Sequence, residues 1–96
     1  MNNYFGQKIR KVRESKDMLL RQLAAFLEVD TALISKIEKG DRKANKMQIS
    51  KISKVLELNE NELLTLWLAD RIEKVISDDT AYAKDALNLI KENYND

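Results

Sequence analysis

Residues 23–40 read LAAFLEVDTALISKIEKG, and this stretch decides the fold. Leu23, Ala24 and Leu27, with Leu20 ahead of them, fall at i, i+3, i+4 and i+7 and make one apolar stripe, so a helix is expected over residues 20–27. It is too short to persist alone in water, so tertiary packing must hold it. A second helix starts after Asp30, whose carboxylate can accept a first-turn N–H. It stops before Gly40, the residue type that most readily takes the left-handed conformation past a helix end. Within it Ile34 and Ile37 point one way, leaving Thr31, Ala32, Ser35 and Lys36 on a small, polar outer face. Two short helices joined by a tight turn let the second project from the surface.

The same periodicity continues outward from this pair. The 96-residue chain has no Pro and two Gly, and its apolar residues recur at spacings of three and four, so it reads as all-α with six helices. One precedes the pair, from about Tyr4 to Lys16, with Phe5, Ile9 and Val12 on one face. Asn45 caps a fourth helix carrying Ile49, Ile52 and Leu56, and Asn59 caps a fifth carrying Leu63, Leu64, Trp67, Ile72, Val75 and Ile76. After the acidic break Ser77, Asp78, Asp79, a last helix runs from about Thr80 to Asn93, with Tyr82, Ala86, Leu89, Ile90 and Tyr94 on its apolar side. Asp78 and Asp79 read as a helix start rather than as metal ligands.

Composition narrows the function classes. There is no Cys and no His, which removes the usual zinc, haem and iron–sulfur ligation patterns and every Cys- or His-based catalytic arrangement. No phosphate-cradling glycine loop or paired acid–base constellation is visible, so no enzyme, cofactor or metal is expected. The N-terminal MNNYFGQKIRKVRESK lacks the apolar core of a signal peptide, and no segment is apolar enough to span a bilayer. The expectation is a soluble, cytoplasmic protein with no membrane partner.

Net charge is only +1, but it is unevenly placed. Residues 1–54 hold thirteen Lys/Arg against six Asp/Glu, a net +7, and residues 55–96 hold four against ten, a net −6. A basic half beside an acidic one suits one surface that meets a polyanion and another that does not.

The central segment resembles the Xre/Cro/phage-repressor helix-turn-helix family, whose pattern is close to LA..LGVS.S.ISRIE.G. Leu23, Ala24, Leu27, Val29, Ile34, Ser35, Lys36, Ile37, Glu38 and Gly40 stand at the matching places. The likeness runs from Phe5 through IRKVRE to NENELL, covering about residues 5–66. It implies a five-helix repressor-like DNA-binding domain over residues 1–66, with an added C-terminal helix in an extension over residues 67–96. The implied function is a homodimeric, sequence-specific transcriptional regulator of a pseudo-palindromic duplex operator, with helix 31–38 in the major groove. Restriction-modification operon control is the narrower expectation; a protein-interaction module or antitoxin with the same fold is the alternative.

By the same resemblance, Thr31, Ala32, Ser35 and Lys36 face base edges, with Lys36 able to donate to the O6 and N7 of a guanine. Ser35 fits a base contact or plain close packing. Arg21, Lys39, Arg42, Lys43, Asn45 and Lys46 would meet phosphate oxygens, which set register and affinity without reading sequence. Arg13 and Glu38 match a helix-one Arg and a recognition-helix Glu that form a structural salt bridge. The acidic half is left for dimerisation, with Trp67, Leu68, Ile72, Val75, Leu89 and Ile90 as candidates; Trp67, like Leu63 and Leu64, fits the core first, with the dimer interface as its alternative. Phe26 reads as exposed on its helix, to be covered by the last helix or by a partner protein. No small-molecule ligand is expected.

The chain departs from the pattern in two places. Leu19 and Leu20 stand where a capping Ser or Thr and a phosphate-binding Gln are usual. Glu28 replaces the turn Gly, which implies either a less left-handed turn or strain.

Overall fold

In a computed structural model describing residues 3–94, the chain forms six helices: α1 Tyr4–Ser15, α2 Leu20–Leu27, α3 Thr31–Lys39, α4 Lys46–Leu56, α5 Glu60–Ile76 and α6 Thr80–Tyr94. No strand occurs among the described residues. Side chains expected as caps do that work. Asp30 accepts from the Leu33 N–H at 2.8 Å, Asn45 from Gln48 at 2.8 Å and Asn59 from Glu62 at 2.9 Å. Leu19 has no acceptor to offer α2, and only half of a capping box remains: the Gln22 side chain takes the Leu19 N–H at 2.8 Å.

The core lies where α1 to α5 converge. Ile9, Leu23, Ile34, Ile37, Ile49, Ile52, Leu56 and Leu63 are fully enclosed, one to three from each of these five helices. α3 packs on α1 and α2, α5 on α1 and α4, and α2 also on α4. Gly6 lets α1 approach the end of α3, since a Cβ there would run into the carbonyl oxygens of Ile37 and Glu38. Asn3 fastens the same junction, with its side-chain oxygen taking the Gly6 N–H at 3.2 Å while its amide donates to the Glu38 carbonyl at 2.7 Å.

α6 is different. It touches α5, yet none of its residues is buried. The domain boundary expected after Leu66 falls inside α5, which runs unbroken to Ile76 and still contributes Trp67 to the core. The sequence leaves two readings open for Trp67 and two for Phe26, and the burial of each bears on the choice. Trp67 is only 9% exposed, held inside by its packing and by an indole N–H bond to Ala44, so it has almost no surface left for a dimer interface. Phe26 is 61% exposed and the last helix does not cover it; the helix that α6 meets is α5. No helix among the described residues is long and apolar enough to cross a membrane.

Candidate nucleic-acid interface

The turn between α2 and α3 is three residues, Glu28 to Asp30. Glu28 sits at φ 58°, ψ 41°, squarely left-handed, so the turn keeps its shape and the chain carries the strain of a side chain there. The Glu28 N–H donates to Ala25 O and the Val29 N–H to Ala24 O, both at 3.1 Å, closing the Schellman arrangement that stops α2 and aims the chain into α3. α3 ends the same way at Gly40, φ 84°, with the Asp41 N–H on Lys36 O at 2.9 Å.

α3 is held from behind by a bidentate ion pair. Arg13 Nε and Nη2 donate to the two carboxylate oxygens of Glu38 at 2.7 and 3.0 Å, and Nη1 donates to Met18 O at 2.7 Å. Arg13 and Glu38 are 7% and 6% exposed. The hydrogen bond from Glu38 raises the Arg13 pKa above its already high ordinary value; burial opposes this, and the charges of Glu38 and Glu14 add to it. A raised Arg pKa leaves this contribution to stability intact at all ordinary pH, to be lost only in strong alkali. The pair fixes the rotation of α3 about its own axis, burying Ile34, Ile37 and Glu38 and turning the opposite face outward.

On that outward face Thr31, Ala32 and Lys36 are exposed and Ser35 is half-buried. Arg21, Lys39, Arg42, Lys43 and Lys46 are exposed around it, on α2, the end of α3, the following loop and the start of α4. Asn45 is exposed, but its backbone N–H and side-chain oxygen are both committed to Gln48, at 2.9 and 2.8 Å. That box leaves the Asn45 side-chain amide and the first-turn N–H groups of Lys46 and Met47 free to meet an anion.

Some positioning residues escape a sequence reading. The Trp67 Nε1–H donates to Ala44 O at 2.8 Å and pins the basic loop to α5. Arg71 and Lys43 lie over the same indole, 4.8 and 5.9 Å from the ring centroid. Asp70 takes the N–H groups of Tyr4 and Phe5 at 2.8 and 3.0 Å, capping α1 from α5. Each partnership joins residues far apart in the chain, and no local spacing announces it.

Comparison with known proteins places this geometry. The family described as helix-turn-helix matches residues 9–63. The chain is 39% identical over 61 residues to the control protein C.BamHI of Bacillus amyloliquefaciens, covering 62% of this chain and 75% of that one. It is 36% identical over 61 residues to the HTH-type transcriptional regulator RghRB of Bacillus subtilis, covering 62% of this chain but only 44% of that relative. Among solved structures, the restriction-modification controller protein C.AhdI from Aeromonas hydrophila superposes with a TM-score of 0.59 at 28% identity, over 64% of this chain and 92% of that one.

Proposed function

The chain belongs to the helix-turn-helix family, and on that premise we propose that it is a sequence-specific transcriptional regulator that lays α3 in the major groove of duplex DNA as a homodimer. The observation that carries this reading is the outer face of α3. Its small exposed residues Thr31 and Ala32 allow the backbone close to the bases, Lys36 can reach a guanine edge, and cations surround it. The groove is about 12 Å wide and admits one such helix. Lys39, Arg42, Lys43 and Lys46, with Arg21 on the other side, hold the flanking phosphates. Asn45 adds its side-chain amide.

One recognition helix covers only a few base pairs, so a second copy across a pseudo-palindrome supplies the missing affinity and specificity. Leu68, Ile72, Val75, Leu89 and Ile90 are exposed beyond the core and form the proposed dimer surface. Dimerisation thus belongs to the chain after residue 66 and base reading to the part before it. Likeness to a control protein and to a restriction-modification controller supports control of a restriction-modification operon as the biological setting.

The test is selection from random duplex DNA at about 150 mM salt, which suppresses purely electrostatic binding. A pseudo-palindromic site that disappears with Lys36→Ala is the expected result. The exposed Phe26 on α2 favours a second reading, a protein-interaction module or antitoxin with the same fold. In that case selection enriches no sequence, and any DNA affinity is weak and indifferent to Lys36.

A further inference from the structure

A cavity of about 150 Å³ lies between the loop after α3 and the outer side of α5. Arg42 and Lys43 come to it from the loop, and Trp67, Arg71 and Lys74 from α5. None of these four cations pairs with a carboxylate among the described residues. Two carboxylates also line the cavity. Asp70 has its oxygens occupied by the backbone N–H groups of Tyr4 and Phe5, which leaves Asp41 as the one acid not used in a cap. Set against the two carboxylates, the four cations leave an excess of positive charge around the hollow, and two of them lie over the buried indole. Such an excess suits an anion.

We propose that this cavity is a phosphate site, in which Arg42, Lys43, Arg71 and Lys74 hold a phosphate group above Trp67. The guanidinium groups of Arg42 and Arg71 suit two phosphate oxygens each, and the two lysines add point charge. The group can come from a DNA strand passing over the loop or from a free phosphorylated molecule. The chemistry is the same for both. The site lies between the basic loop, proposed above to touch DNA, and the α5 face proposed to touch a second copy, so filling it would stiffen one against the other. The free-phosphate form does not depend on the DNA reading; the DNA form rests on it.

Trp67 is the only tryptophan and reports directly, because an anion that draws Arg71 or Lys43 off the ring changes its emission. The full chain is titrated with inorganic phosphate and with pyrophosphate at constant ionic strength, chloride serving as control, and then with the selected duplex over a series of salt concentrations. Arg71→Gln and Lys74→Gln are run beside it, both residues being exposed.

A saturable emission change with phosphate or pyrophosphate, weakened about tenfold or more in each variant, assigns the site to a free anion. If emission responds only to duplex, and each variant lowers the slope of log affinity against log salt by about one, the phosphate belongs to DNA. An emission unmoved by any of the three, with the variants binding duplex as the wild type does, overturns the site and leaves the DNA reading standing. Response to phosphate with no duplex binding at all overturns the DNA reading and leaves the site.

Discussion

The indole N–H of Trp67 donates to the backbone carbonyl of Ala44 at 2.8 Å, and both residues are buried. Through this one bond α5 sets where the loop after α3 can lie, and so where Arg42 and Lys43 are presented. The Gly40 turn, with the Asp41 and Arg42 N–H groups on Lys36 O, sets how the loop leaves α3, and the Trp67 bond fixes its far end.

Trp67→Phe keeps most of the apolar volume and removes the donor. A buried carbonyl left without a partner costs about 1–3 kcal/mol, so the unfolding free energy should fall by that amount and the midpoint with it, and the amides of residues 43–45 should exchange faster than those of the α1–α2 core. An unchanged midpoint would mean that water replaces the indole without cost.

Arg13→Ala should be far more damaging than Lys39→Ala. The first leaves Glu38 buried and uncompensated, a loss of about 3–5 kcal/mol. The second removes an exposed cation and should stay within about 0.5 kcal/mol. Urea denaturation of both checks this, and equal midpoints would show that the buried pair contributes nothing to holding α3. In duplex binding the order reverses for any Arg13 variant that remains folded, because Lys39 lies on the proposed phosphate track.

These cases show what is legible in a sequence and what is not. Asp30, Asn45 and Asn59 are readable as caps because each acts on an N–H three residues ahead, and the apolar stripes of α1 to α4 are readable because helical spacing repeats locally. Asn3 caps α1 by the same local pattern, through the Gly6 N–H, but its bond to Glu38, the close approach at Gly6 and the Asp70 bonds to Tyr4 and Phe5 join residues more than 30 positions apart and are invisible. Trp67 is ambiguous in the sequence because α5 carries two apolar stripes, one facing the core at Leu63 and Trp67 and one facing solvent at Leu68, Ile72 and Val75. Spacing separates the stripes without saying which of them meets the core. The cavity beside Trp67 was equally hidden, its walls being drawn from separate elements.

Asp70→Ala should loosen the start of α1. The loss of a carboxylate that caps two N–H groups at the positive end of a helix costs about 1–2 kcal/mol. Asp70→Asn, which keeps an acceptor oxygen, should recover part of it. Hydrogen exchange at Tyr4 and Phe5 locates the effect; protection equal to wild type in the alanine variant would assign those amides to another partner.

Glu28→Gly should stabilise the protein by about 0.5–1 kcal/mol. Glu28, like Asp17 and Glu57, stands at positive φ after a helix, and only glycine takes that conformation without cost. The gain is offset in part by the greater freedom of glycine in the unfolded chain. A rise in midpoint with duplex affinity unchanged is expected; a fall would indicate that the Glu28 side chain contributes something beyond the turn.

The proposed dimer surface can be divided experimentally, because its residues lie on two helices that differ in support. α5 is anchored to the core through Leu63 and Trp67, whereas α6 is 15 residues long with none buried, a length at which a helix is marginal in water without packing. A specific interface needs on the order of 1,000 Å² or more of total buried surface, so exposed side chains from both helices are expected to take part. Ile72→Asp places a charge on α5 and Ile90→Asp places one on α6; both positions are exposed, at 41% and 53%, so the monomer core is spared. Sedimentation equilibrium over a concentration series reads the outcome. If both substitutions give monomers while circular dichroism keeps the α1–α5 helix content, the interface spans the two helices. If only Ile72→Asp does so, α6 is dispensable for pairing and its apolar side is open to another protein. Wild-type association in both variants would move the dimer contact off this surface and with it the assignment of Leu68, Val75 and Leu89.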